Sequence, residues 1–470
     1  MEGREGVSGT HFSSRRRTAV ILSGEGTAAA YLTGVMRALE TSGTRADLLM
    51  GRGAGALVAA FSAIQADDRL HGENGLLATS GRRRPFRLRP LYQLALACLG
   101  VALAAFLAPA LIGLVSIVAL PALAAFDWLV PGSGAEGSGP GWLSELMMAA
   151  ETSYLRAIAL PLILLFAVLL ARWLLVLLRE RRAPEREELL PSTTHDLDPL
   201  ADELESSLWQ AVRGASAEAR PKSRQEIGDA YRKLLSASLG QPGFHELIIY
   251  ALDSDTGQEV PFVVLKERFS KTLSSPSRMA RAEPIDLAGS GASILFDALV
   301  ASISPPGLVD AVPIKLPLGS RYGGEVHRFC SSVVTGRGAV ADAIAAGAEQ
   351  IIYVASVAPN DRAGGSAWER LSSAALRTAI DEDLERAALS PDVPLFLIRP
   401  ERERLQPFEL QGRAQLGNER LDLAALSAHG QRDAERLFVE PVLGGDLPGA
   451  APDTTVPLKE EAWEAGPREL

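Results

Sequence analysis

The chain has 470 residues, 47% of them hydrophobic and 22% charged, so it exceeds one ordinary domain, and its mean hydropathy of +0.10 is high for a wholly soluble enzyme. A formal net charge of -10 excludes a general attraction to nucleic acid. Two cysteines, Cys98 and Cys330, cannot build a disulfide framework and point to a reducing setting, and six histidines without metal-ligand spacing give no metal site.

Met1 to Arg17 is polar, ends in Arg15-Arg16-Arg17, lacks the apolar core of a signal peptide and reads as a disordered tail (1–17). Ala19 to Leu22 predicts a short strand that stops at Ser23-Gly24-Glu25-Gly26. Ala28 to Leu39 then repeats its apolar residues at helical spacing until Ser42-Gly43. Asp47 to Met50 predicts a second strand. Gly51-Arg52-Gly53-Ala54-Gly55 is a turn tight enough to throw the chain directly into a second helix, Ala54 to Ala66. These elements make a first folded part over 18–81.

Arg82, Arg83, Arg84, Arg87 and Arg89 crowd together just before a long apolar run, which favours a membrane edge over nucleic acid. Pro90 to Phe126 and Ala157 to Leu178 are each at least as long as the roughly 20 residues that span a bilayer. Trp128, Trp142 and Tyr154 stand as interface anchors, and Arg172 is placed to snorkel toward the arginine-rich exit at Arg179 to Arg186. The expectation is a membrane insert over 82–182 with two transmembrane segments, at about 90–126 and 157–178; the alternative is apolar helices buried in an enlarged core or an oligomer. Residues 183–228 read as a charged linker carrying one or two amphipathic helices, such as Leu200 to Val212.

A second folded part follows over 229–443. Glu246 to Leu252 and Glu259 to Leu265 predict two strands around the turn at Asp253 to Gly257. Leu395 to Pro400 adds a strand, Leu421 to Leu437 an amphipathic helix, and 444–470 a disordered tail.

In order and spacing, Thr18 to Ala66 and His245 to Leu443 resemble the patatin-like phospholipase family, Phe296 to Pro306 resembling its helix and small-residue bend, and Ala339 to Ala348 with Gln350 to Ala355 its closing helix and strand. That resemblance implies an α/β fold with a three-layer patatin-like sheet domain, here interrupted by a transmembrane helical hairpin. In the family a glycine-rich oxyanion loop follows the first strand, and a serine sits in a G-x-S-x-G elbow after the second. Here the remnant of the loop is Gly24, Glu25 and Gly26, with Ala28 at the place of its basic residue, and Gly53 holds the serine position. The family's D-G-G aspartate, the base for that serine, falls on Tyr322, while Arg328 and Cys330 stand where asparagine and proline are common. A carboxylate at Glu25 opposes the negative charge an oxyanion loop must stabilise, and neutral tyrosine is a poor base at pH 7. His327 reads as a loop residue rather than a base.

The resulting expectation is a pseudo-phospholipase with no intact catalytic residue, no cofactor and a lipid-binding or regulatory role. Arg52 and the helix N-terminus at Ala54 and Gly55 would hold an anionic or acyl ligand. Its partners would be a membrane lipid and a protein at the membrane, and the protein would be integral to the membrane with a cytoplasmic soluble domain and an external loop around Gly137. The rivals are a working lipid acyl hydrolase with a displaced nucleophile, Ser23 or Thr27, and a structural membrane scaffold.

Overall fold

The computed structural model describes residues 12–71, 75–76, 87–107, 159–170, 193–214, 221–274, 283–358, 367–400, 414–416, 419–421 and 423–444, apart from 91, 105, 169, 194, 222, 290, 337, 389 and 391. In chain order, β1 (Thr18–Gly24), α1 (Ala28–Thr41), β2 (Leu48–Gly53), α2 (Ala54–Ser62) and α3 (Asp68–His71) come first. The short strands β3 (Arg87–Leu88) and β4 (His195–Asp196) follow, then α4 (Asp198–Arg213) and α5 (Arg224–Ser238). Next are β5 (Glu246–Asp253), β6 (Gln258–Val264), α6 (Glu267–Leu273), β7 (Ile285–Asp286), α7 (Leu295–Ser302), β8 (Val312–Lys315) and β9 (Val326–Cys330). The chain closes with α8 (Ala339–Ala345), β10 (Gln350–Ala355), α9 (Ala367–Ala388), β11 (Leu395–Ile398), β12 (Ala414–Leu416), β13 (Glu419–Leu421) and α10 (Leu423–Ala434), which runs into a π-helical stretch at Glu435–Leu443.

The fold is mixed α/β around one sheet of order β11-β10-β1-β2-β5-β6-β7, with β9 paired to β5 and β8 to β9. Neighbours from β11 to β5 run parallel, β6 returns antiparallel to β5, and β7 lies parallel to β6. The parallel strands are continuously apolar because helices cover both faces. Val20, Leu22, Leu49 and Ile249 point into one core with α1, α2, α5 and α7. Ala19, Ile21, Leu48, Met50 and Ile248 point into the other, with Val340 and Ala343 of α8 and Leu376 and Ile380 of α9.

Two helices touch through glycine. A Cβ on Gly34 of α1 would stand 1.9 Å from the Ser427 carbonyl oxygen of α10, and one on Gly430 of α10 would stand 2.0 Å from that of Tyr31. Within the stretch expected as a linker, 183–228, α4 and the start of α5 bury Leu204, Leu208 and Ile227 completely, and α5 goes on beyond it to bury Tyr231 and Leu235. The Tyr231 hydroxyl donates to the Ala60 carbonyl at 2.6 Å. The charge that suggests a linker lies on their outer side, where Arg224 pairs with Asp202 and Glu205.

Arg87–Asp196 forms a second compact unit, in which β3 and β4 pair antiparallel. Its described residues are helical over 92–104 and 159–168, and their apolar side chains face outward: Leu96, Val101, Leu103 and Phe106 are 56–63% exposed, and Leu160, Ile163 and Phe166 are 63–67% exposed. Among the described residues no helix is long and apolar enough to cross a membrane. The remainder of the expected hairpin, 108–158 and 171–192, lies outside the described residues, as do 1–11 and 445–470.

Candidate functional site

Because β1, β2 and β5 run parallel, their carboxyl ends bring Gly24, Gly53 and Asp253 to one edge of the sheet, where ligands of open α/β sheets bind. Gly53 closes β2 and caps α2 with φ 58° and ψ -131°, a backbone conformation that is essentially glycine's own. The sharp strand-to-helix turn expected from the sequence is therefore present. It has no room for a nucleophile: a Cβ on Gly53 would stand 2.3 Å from Val333 Cγ2, 2.4 Å from the Gly24 carbonyl oxygen and 3.0 Å from the Glu25 carboxyl carbon. Ala54 and Gly55, at the start of α2, are buried, and a Cβ on Gly55 would meet the Leu22 carbonyl oxygen at 2.2 Å.

The loop between β1 and α1 turns at Gly26, whose φ is 54°, and its backbone closes on itself as Ala28 N–H donates to the Glu25 carbonyl at 3.0 Å. Its side chain at Glu25 points inward, 2% exposed, and accepts a short hydrogen bond from the Ser331 hydroxyl. Burial pushes this carboxyl up to about 8, against the pull of the Ser331 hydrogen bond. Desolvation outweighs the one donor it has and favours the protonated form, whereas the sequence alone suggests a carboxylate there.

The segment that faces Gly53 is Ser331 to Val333, just beyond β9. Tyr322 instead lies in the turn between β8 and β9, its ring 4.9 Å from that of His327. The neighbouring glycines serve that turn. A Cβ on Gly323 would stand 2.4 Å from the Leu318 carbonyl oxygen, and Gly324 has φ 86°. The two glycines satisfied a motif for reasons of chain reversal, whereas the small pair Ser331-Ser332 after a strand, followed by Gly336 and Gly338 before α8, was the available signal for the true neighbour of the elbow.

Arg52 is 1% exposed and is spent inside the protein. Its guanidinium grips Glu259 through Nε at 2.8 Å and Nη2 at 2.9 Å, and Asp383 of α9 through Nη1 at 2.7 Å. Burial alone would pull it down, but the two acids outweigh burial and hold it charged. The Arg52 side chain therefore braces β2 against β6 and α9 instead of presenting a charge for a ligand.

His327 also proves to be a buried, partnered residue. Its Nδ1 lies 2.7 Å from Asp253 Oδ2, and although burial lowers its affinity for a proton, Asp253 outweighs that and raises it. Ligand atoms of Asp253, Asp255 and His327 lie within 4.8 Å of one another, yet Asp255 already holds Arg328 through its backbone N–H at 2.8 Å and Nε at 2.9 Å. Glu325 also lies 3.4 Å from His327 Nε2, so the groups of the cluster already have partners within the chain. Cys330 stands within electrostatic reach of both Glu25 and Asp253, and burial pushes its thiol up. Of the alternative nucleophiles, Ser23 is 1% exposed, and the Thr27 hydroxyl is buried with no hydrogen-bond partner among the described residues.

No family model matches the chain, and no curated protein matches it. Among solved structures, the crystal structure of VipD from Legionella pneumophila is similar, with 10% sequence identity and a TM-score of 0.31 over 91% of this chain and 69% of that one. A likeness at that score carries no argument about the site.

Proposed function

We propose that the chain is a degenerate patatin-like domain anchored at a membrane, without hydrolase turnover, acting by binding a lipid or regulating a protein partner. The observation that carries the reading is the filled elbow: Val333, the Gly24 carbonyl and the Glu25 carboxyl occupy the space in which a nucleophile's oxygen would stand above Gly53. Loss of the nucleophile alone removes on the order of 10⁶-fold in a comparable serine hydrolase. The membrane part rests on the outward apolar side chains of the 87–196 unit. On the first helix only a narrow stripe through Cys98 and Ala102 is covered, and the larger apolar side chains beside it stay exposed, a pattern that suits a lipid or protein surround better than water.

The test is a fluorophosphonate probe with an acyl-ester hydrolysis assay on the purified full chain and its Gly53→Ser variant. Neither protein is expected to be labelled or to turn over ester, because the serine oxygen of the variant has no cavity to stand in. Ser331, the serine bonded to Glu25, is the residue such a probe would find if a relocated dyad were at work. Labelling of the wild type that disappears in Ser331→Ala would overturn the reading in favour of an acyl hydrolase.

A further inference from the structure

On the same edge of the sheet, beside the β8–β9 turn instead of at Gly53, lies a cleft of about 450 Å³. That volume falls within the roughly 300–1,000 Å³ of small-molecule sites. Its floor is apolar, made by Val260, Ile285, Leu316 and Phe329, all nine-tenths or more buried. Tyr322 forms one wall and Arg321 stands at the rim.

The charges around it are unequal in how far they are satisfied. Asp253 accepts from His327 Nδ1 at 2.7 Å, the Thr256 hydroxyl at 2.8 Å and the Asp255 N–H at 3.0 Å. Its charge is turned toward the protein. Glu283 gives one carboxylate oxygen to the Arg321 backbone N–H at 2.5 Å. The Arg321 guanidinium makes no hydrogen bond or ion pair among the described residues and stands 5.5 Å from the centre of the Tyr322 ring. A planar, weakly hydrated cation over an aromatic face is suited to a bidentate anion carried on a flat apolar body.

We propose that this cleft binds a small aromatic acid, its ring on the apolar floor against Tyr322 and its carboxylate on Arg321. Two aromatic side chains in the lining, Tyr322 and Phe329, favour an aromatic ring over an alkyl chain, because ring pairs add to the area they bury. A cation at the rim whose guanidinium has no hydrogen-bond or ion-pair partner among the described residues favours an acid over the neutral alcohol of the same shape. The inference does not depend on whether the elbow is inactive, since the cleft neither contains Gly53 nor uses Glu25 or Ser331.

Photolabelling of the purified full chain with 4-benzoylbenzoate, mapped by mass spectrometry, tests it. Adducts are expected on the peptide carrying Leu316 to Tyr322 or on those carrying Val260 and Ile285. They should be competed by 2-naphthoate and far less by octanoate or 2-naphthalenemethanol. Arg321→Gln should weaken 2-naphthoate competition about tenfold or more, the loss of one hydrogen bond to a charged group, and Arg321→Glu more still. Arg321 is exposed, so both variants should melt with the wild type, and the map on the wild type stands as a readout that needs no variant. Adducts concentrated elsewhere, equal competition by octanoate, or unchanged binding in Arg321→Gln would each overturn the proposal. None of these results bears on the fluorophosphonate outcome, so failure of the cleft and failure of the inactive-elbow reading are told apart.

Discussion

Glu25 is held in the protein by desolvation with no cation to answer it among the described residues, and this makes its proton part of the fold. Its ordinary value of 4.5 applies in the unfolded chain, and the folded value is about 8. Between those two pH values the folded state binds a proton that the unfolded state has lost. Stability must therefore fall as pH rises from 4.5 toward 8 and level off above it, by about 5 kcal/mol at most. Glu25→Gln keeps an acceptor for the Ser331 hydroxyl and removes the titration. Urea unfolding of both proteins across this range should show the wild type losing stability relative to the variant, the other titrating groups being common to both. Parallel curves would show that Glu25 is ionised in the fold. The same residue marks what was legible in the sequence: its presence in the glycine loop and a glycine at the turn position 53 were visible, but the burial that favours its protonated form was not, because that depends on Ser331 and Val333, some three hundred residues away.

At the level of elements, those with a strong local pattern were legible. The strand-turn-helix repeat from Thr18 to Ser62 and the hairpin of β5 and β6 follow from apolar runs and glycine punctuation alone. The partner of the elbow was not, because Gly323-Gly324 fits both a catalytic motif and a tight turn, and the turn is what the chain uses. Nor was the role of Arg52, whose partner Asp383 lies on α9, a long helix that the sequence reading left unassigned. The meeting of α1 and α10 is another such contact, fixed by Gly34 and Gly430 against facing backbone carbonyls that cannot swing aside. Gly34→Ala and Gly430→Ala should each destabilise the protein by about 1–3 kcal/mol through overpacking, although alanine by itself favours a helix by up to about 1 kcal/mol. Since the two glycines serve one interface, the double variant should lose less than the sum of the two. Denaturant midpoints of the single variants equal to the wild type would show that the helices separate at little cost.

At the scale of the whole molecule, the parallel pairing of β2 with β5 constrains what the chain between them can do. Leu48 pairs with Glu246 and Arg52 with Tyr250, although the 87–196 unit separates the two strands in sequence. The chain leaves one sheet and returns to the same sheet, so an insert that enters a bilayer has to cross it an even number of times. The two apolar runs permit two crossings. The membrane anchoring proposed above, combined with the excess of basic residues on the cytoplasmic side, would put Arg82 to Arg89 and Arg179 to Arg186 on that side with the sheet, and Gly132 to Gly141, which contains no basic residue and lies outside the described residues, on the other. In a variant with Cys98 and Cys330 replaced by serine, Gly137→Cys should react with a membrane-impermeant maleimide in intact cells. Lys233→Cys, on the exposed side of α5, should react only after the cells are opened. Labelling of Lys233→Cys in intact cells would reverse the orientation. No labelling of Gly137→Cys in intact cells, together with recovery of the protein in the supernatant after high-speed centrifugation, would remove the membrane from the proposal and leave the outward apolar side chains to a protein partner.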